Sequence, residues 1–166
     1  MVDALIERLN HWLEKNRPDY YAHLMPGVTD ARLDAFEAQF SLKLPAAFRQ
    51  LYRWHNGHDQ LRSESLVQNL MFSSLGDIAR VKEVMDDMIG SDFDEPRWWR
   101  RSWVPFLENG AGDHLCVDLA AEDGGSPGQV LMFYHDCDDR PIRATSLEAW
   151  LADLVTSMES GSLELA

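Results

Sequence analysis

The stretch from Trp103 to His135 limits what this chain can fold into. It holds three apolar runs: Trp-Val-Pro-Phe-Leu, then His-Leu-Cys-Val-Asp-Leu, then Gly-Gln-Val-Leu-Met-Phe-Tyr-His. Glu-Asn-Gly-Ala-Gly-Asp separates the first two, and a Gly-rich loop separates the second and third. Each run is short, rich in β-branched or aromatic residues and bounded by turn formers, which is the pattern of consecutive strands. Asn109-Gly110 and Asp123-Gly124 favour tight reversals, because Gly accepts a positive φ without steric cost. A β-meander is expected here, with helical patterns before and after it.

Residues 2–16 carry Val2, Leu5, Ile6, Leu9, Trp12 and Leu13 on one 3.6-residue stripe, so an amphipathic helix is expected, one that can stand as an appendage. Arg17-Pro18-Asp19 ends it, and Tyr20 to Gly27 reads as a loop. Thr29 is placed to cap a second helix with Leu33, Phe36 and Phe40 inward. Pro45 suits the first position of a third helix, which Asn56-Gly57 closes, with Gly57 as a left-handed C-cap. A short strand is expected over 69–72. Ser74 and Asp77 resemble a capping pair for a helix whose inner face is Leu75, Ile78, Val81, Met85, Met88 and Ile89. After the meander, Pro141 to Ala144 reads as an edge strand. Thr145 and Glu148 have capping-box spacing ahead of the stripe Leu147, Trp150, Leu151, Leu154, Val155 and Met158. Trp12 and Trp150 are expected in the core, and residues 160–166 to fray. Strands do not alternate with helices, so the expected class is α+β: one mainly antiparallel sheet flanked by about five helices, in a single domain over 1–166.

Charge adds a second constraint. The net charge of −13 is concentrated in two segments. Glu108 to Asp139 holds eight carboxylates and no Lys or Arg, and Lys82 to Glu95 holds six carboxylates and one Lys. The rest of the chain is neutral. Such a surface repels phosphates, so no nucleic-acid partner is expected, and it steers a basic protein toward itself. No apolar run has the ~18 residues a membrane span needs, and the charged N-terminus argues against a secretory signal. A cytoplasmic protein with two reduced cysteines, Cys116 and Cys137, is expected.

Chemistry is harder to place. His114, Cys116 and Asp118 alternate on one strand face, and His135 and Cys137 lie on or just past the next strand. Two His and two Cys can bind zinc, but no Cys-x-x-Cys or His-x-x-x-His spacing is present, so no metal and no cofactor are expected. A Gly-x-Ser-x-Gly elbow and a phosphate-binding lysine loop are both lacking, so no enzyme is expected. An enzyme or metal-dependent hydrolase using His114, Asp118 and His135 stands as a third alternative. Trp98 and Trp99, beside three arginines, are either an exposed anchor for a partner or a cover for the sheet edge.

Together these motifs resemble the SUKH superfamily, in particular the Smi/Knr cell-wall-assembly regulator type. The resemblance rests on Met25-Pro26-Gly27-Val28-Thr29, Leu44-Pro45 and Tyr52-Arg53-Trp54-His55-Asn56-Gly57. It continues through Trp103-Val104-Pro105-Phe106, Gly112-Asp113-His114-Leu115-Cys116-Val117-Asp118-Leu119, Gly128-Gln129-Val130, His135-Asp136 and the Trp150 helix. It covers most of residues 24–155. It implies an α+β fold with no known catalytic site, in which Pro45, Asn56, Gly57, Trp103, Pro105, Gly112, Asp113, Asp118 and Gly128 are turn and packing residues. It also implies a protein-binding role. The first expectation is an immunity protein that neutralises a basic, nuclease-type toxin; the alternative is a regulator or scaffold in cell-wall assembly or stress signalling. On either reading, Asp92, Asp94, Glu95, Trp98, Trp99, Asp136, Asp138 and Asp139 are the expected partner-binding residues. Oligomeric state is left open.

Overall fold

The computed structural model describes residues 1–162, and its elements follow the apolar pattern. Helix α1 (Val2–Asn16) ends where Pro18 starts a short helix α2 (Pro18–Ala22), the proline at the first position, where its missing N–H costs nothing. Strand β1 (Leu24–Pro26) follows, so the loop expected over Tyr20 to Gly27 is helix and strand instead. Thr29 caps α3 (Asp30–Phe40) by accepting from the Arg32 N–H, as its position predicts. Helix α4 (Ala46–Trp54) starts one residue later than expected, with Pro45 as its N-cap.

Helix α4 does not reach Asn56. It stops at Trp54, and His55 is already extended, opening strand β2 (His55–His58), which pairs with β1. Gly57 does have φ +73°, but inside β2 and not as a C-cap. The left-handed backbone is foreseeable from the residue type; its place in the fold is not, because a helix end and a strand kink both select Gly.

Strand β3 is only Met71–Phe72, shorter than the expected 69–72. Ser74 caps α5 (Leu75–Asp87) through the Asp77 N–H. The meander follows as β4 (Trp103–Glu108), β5 (His114–Asp118) and β6 (Gln129–Phe133), and β7 (Ile142–Ala144) forms the edge. These strands make one antiparallel sheet in the order β3-β4-β5-β6-β7, so the fold is α+β. The last helix, α6 (Leu147–Ser160), is capped by Ser146, which accepts from the Ala149 N–H, and not by Thr145. Gly161 ends it with φ +72°. Of the expected fraying over 160–166, Ser160 is the last residue of α6 and the Gly161 and Ser162 N–H groups donate back to the Met158 and Ser157 carbonyls, while 163–166 lie outside the described residues. Ser146→Ala should cost about 1 kcal/mol in a denaturant melt, and Thr145→Ala much less. The reverse order would restore the cap to Thr145.

Both faces of the sheet are buried. Val104, Phe106, Leu115, Val117, Val130 and Met132 face the main core with α1, α4 and α6. Trp103, Cys116, Leu131 and Phe133 face a second cluster that Trp99 completes and Met85, Ile89, Phe93 and Trp98 cover. Helix α1 is not an appendage: Leu9 and Leu13 are buried in the main core, and the Trp54 indole donates to Asn10 Oδ1 at 2.8 Å. Trp12 and Trp150 are half-buried and pack on that core from outside, short of the full burial expected. Among the described residues, no helix is long and apolar enough to cross a membrane.

Strand β4 is irregular at one point. Pro105 pairs with Cys116 but Leu107 pairs with Leu115, so one extra residue is accommodated in β4. A bulge of this kind re-aims the side chains beyond it. Here Phe106 and Leu107 both enter the main core, and Glu108 emerges on the opposite face, across from His114.

Candidate protein-binding surface

The segment Trp98–Arg101 sets up the acidic end of the molecule. Trp99 is 1% exposed, with its ring edge-on to Trp103 and Phe133. Its indole N–H donates to Asp86 Oδ1 at 2.8 Å. Trp99 is therefore core and offers a partner nothing. Trp98 is half-buried, with its ring 6.3 Å from Phe93 and 6.4 Å from Phe133. Trp99 covers the outer face of the sheet at Trp103 of β4 and Phe133 of β6, not the sheet edge that the sequence reading offered.

Arg140, which no sequence motif singles out, joins the two acidic loops. Its guanidinium lies 4.9 Å from the Trp98 ring and 4.4 Å from Phe133. It donates to the Trp98, Tyr134, Cys137 and Asp139 carbonyls. Five donors in a rigid fork suit such a carbonyl cluster, and the flat cation suits the rings. Burial pushes its pKa down from the usual arginine value, with nearby thiols and carboxylates acting the other way. The only sequence signal is position, since Arg140 is the first base after the acidic turn.

Through these contacts the 90–95 loop, via Phe93 and Trp98, and the 136–139 turn, via Arg140, come to one end of the second cluster. Asp92, Asp94, Glu95, Asp136, Asp138 and Asp139 are all exposed. None of the six forms an ion pair among the described residues. The other acidic loop differs: Arg100 binds Asp123 at 2.6 Å and Glu122 at 3.3 Å, and Arg97 lies 3.6 Å from Asp123. That pairing holds the Asp123 pKa below the usual carboxylate range. Two of the three linker arginines are thus spent on the β5–β6 loop, while the 90–95 and 136–139 carboxylates hold no ion pair among the described residues, and only Asp138 and Asp139 feel the nearby charge of Arg140.

The residues considered for chemistry do not converge. His114 and Asp118 sit at opposite ends of β5, about 13 Å apart at the usual rise per strand residue. The Asp118 carboxylate is engaged, accepting from the Ala120 and Ala121 N–H groups and from Gln129 Nε2 at 2.9 Å, which ties the β5–β6 connection down. Cys116 is buried among Trp103, Leu131 and Phe133, and burial pushes its thiol pKa far up. His135 is exposed, and its ring and backbone N–H both donate to Asp113 Oδ1, at 2.7 and 2.9 Å. That carboxylate raises the His135 pKa. Asp113, His135 and Asp136 are the one trio of metal-type donors lying within 4.8 Å of one another among the described residues. Asp113 is already bonded on both oxygens, the second to Asn109 Nδ2 at 2.9 Å, so the trio reads as a clasp on the β4–β5 turn. The motif residues Gly112 and Gly128 lie in turns with φ +101° and +90°. Adding a Cβ at Gly112 would bring it within 3.2 Å of the His135 ring.

A model of the SMI1 / KNR4 family (SUKH-1) matches residues 27–153, from the end of β1 into α6. The protein named KNR4/SMI1 homolog 2 from Debaryomyces hansenii is 25% identical over 99% of this chain and 36% of its own length. The Schizosaccharomyces pombe protein named Cell wall biosynthesis/cell cycle regulator smi1 is 25% identical over 93% of this chain and 35% of its own length. F-box only protein 3 of Bos taurus is 25% identical over 95% of this chain and 34% of its own length. The chain spans about a third of the length of the curated relatives it matches.

Proposed function

The chain belongs to the SMI1/KNR4 family (SUKH-1), and on that premise we propose that it is a non-catalytic regulatory module that binds a basic protein partner through its acidic end. The observation that carries this reading is the set of six exposed carboxylates around Trp98 and Arg140 that hold no ion pair among the described residues. Uncompensated charge of one sign raises the on-rate for an oppositely charged partner and excludes acidic ones. The regulatory part leans on the names of relatives, which speak of cell wall biosynthesis and cell wall assembly. Toxin neutralisation, the first expectation from the sequence, draws nothing from those names; the regulatory alternative does. A match inside a protein named F-box only protein 3 favours a portable binding unit over an activity tied to one pathway.

The test uses Asp92→Lys, Asp94→Lys, Asp136→Lys and Asp138→Lys together. These surface positions hold no ion pair among the described residues, so the melting temperature should hardly move. In a host lacking the gene, wild type should restore growth under cell-wall stress and the fourfold variant should not. With a purified partner, the variant should associate far more slowly at low salt, and the gap should close as salt is added. Full rescue by the variant would remove the acidic end from function. A deletion with no wall phenotype would remove the regulatory reading.

A further inference from the structure

A second place on the molecule is built for a ligand, and it lies where the β4 bulge sends Glu108 outward. Met71, Glu108, His114 and Phe133 are register partners in turn across β3, β4, β5 and β6, so they form one row on the outer face of the sheet. Helix α5 covers this face only in part. Between the row and α5 runs a groove of about 700 Å³, walled by Met71, Val81, Val84 and Met85 and floored by Glu108 and His114. Val84, at 60% exposure, is the most exposed residue of that wall.

Three features show what the groove lacks. His114 is 7% exposed, yet neither ring nitrogen has a hydrogen-bond partner among the described residues. The ring nitrogens are not sealed off, since among the described residues the fully buried side-chain atom without a partner is Tyr20 Oη, so they stay open to a ligand in the groove. Burial drives the His114 pKa to about 4, so the ring is neutral at pH 7 and one nitrogen is a free acceptor. Glu108, half-buried beside it, likewise has no ion pair or hydrogen bond from its carboxylate among the described residues. The base at the rim, Arg80, is occupied by Asp77 in the first turn of α5. The groove thus offers two acceptors, net negative charge and flexible thioether walls.

We propose that this groove receives an arginine or lysine side chain from a protein partner, with the aliphatic stem along Met71, Val81 and Met85 and the cationic head at Glu108 and His114. Methionines adapt their shape to such a stem, and long basic side chains bury their methylenes while keeping the head polar. A carboxylate in a partly desolvated groove then supplies charge-assisted hydrogen bonds. An acidic or purely apolar side chain would leave Glu108 repelled or unpaired. The assignment deepens the protein-binding reading and rests on it, adding a specific anchor to the diffuse attraction of the acidic end.

The test is a titration of the intact chain with the acetylated, amidated tripeptide Leu-Arg-Leu, followed by NMR of the Met71 and Met85 methyl groups and the His114 ring. Leu-Glu-Leu and Leu-Leu-Leu serve as matched controls. Saturable shifts at these three residues are expected with Leu-Arg-Leu alone. Glu108→Gln should weaken binding by about twofold to fivefold, as loss of one partly exposed charge contact does. Val84→Lys, an exposed helix change that keeps the fold, should weaken it similarly by placing a like charge at the rim. The fourfold lysine variant of the acidic end should bind the tripeptide nearly as well as wild type, so failure here and failure of the acidic-end reading are separate results. No saturable shift, or equal shifts with either control, overturns the proposal.

Discussion

Replacing Gly57 with alanine, asparagine or valine should destabilise the protein severely, and asparagine should bring no rescue. An added Cβ at Gly57 would lie 2.6 Å from the Ser73 carbonyl carbon and 2.6 Å from the Ser74 nitrogen. Those are backbone atoms, and they are pinned. The Tyr52 hydroxyl donates to the Ser73 carbonyl at 2.7 Å, the Ser74 hydroxyl caps α5, and the Leu75 N–H donates to Asn56 Oδ1 at 2.7 Å. Two costs add: the left-handed backbone penalises a Cβ by about 1 kcal/mol or more, and overpacking against a fixed wall costs about 1–3 kcal/mol. Asparagine tolerates the backbone angle but carries the same Cβ. Denaturant melts should therefore place Ala and Asn together, well below wild type, with Val lower still because it is branched at the crowded carbon. An Asn variant within about 1 kcal/mol of wild type would mean that only the backbone angle matters, as for a solvent-exposed cap.

The same glycine shows where the sequence is legible and where it is not. Thr29 and Ser74 are identifiable as caps because capping is local chemistry, complete within four residues. The stripe of α6 and the meander are legible because period and turn residues are local as well. Gly57 is half legible: its residue type demands a positive φ, but the neighbour that forbids a Cβ comes from Ser73 and Ser74, which no local pattern announces. The β4 bulge is invisible for a related reason. Period two places Leu107 opposite Phe106, and only the pairing with Leu115 shows that both face one core. Without that shift, Glu108 would point into the main core, so the groove floor cannot be read from alternation. Arg140 and Trp99 read from the sequence as a charge and an aromatic; their roles come from partners across the sheet. The acidic clusters are legible as composition, but Arg97 and Arg100 decide which carboxylates are neutralised.

Lys82 is the sharpest departure from pattern, and it carries the second large effect. Helical periodicity assigns the inner face of α5 to Leu75, Ile78, Val81 and Met85. The fold buries Leu75 and Ile78 as expected and leaves Val81 and Met85 half-buried, but it also buries Lys82 completely, at 0% exposure. The ammonium group donates to the Arg101 carbonyl at 2.7 Å and the Trp103 carbonyl at 3.1 Å, and lies 3.2 Å from Asp86 Oδ2. Asp86 in turn accepts from the Trp99 indole. One cation and one carboxylate thus fasten α5 to the start of β4 and to the tryptophan that closes the second cluster. Removing one member strands the other: Lys82→Met should cost about 3–5 kcal/mol, and Asp86→Ala a similar amount. Lys82→Met with Asp86→Leu should cost much less than the sum, because the stranded charge is gone, although the two carbonyls and the indole N–H still lack partners. Urea unfolding of the four proteins measures this; additive losses, or a Lys82→Met loss below about 1 kcal/mol, would show that the pair is not a unit. Burial lowers the Lys82 pKa from 10.5, only partly offset by Asp86. In the window just below 10.5 the unfolded chain therefore holds more protons at this site than the native protein, so this group's contribution to stability rises with pH there. Wild type should gain on Lys82→Met as the pH climbs through that window, and a gap that narrows instead would mean the ammonium is stabilised, not strained, by its burial.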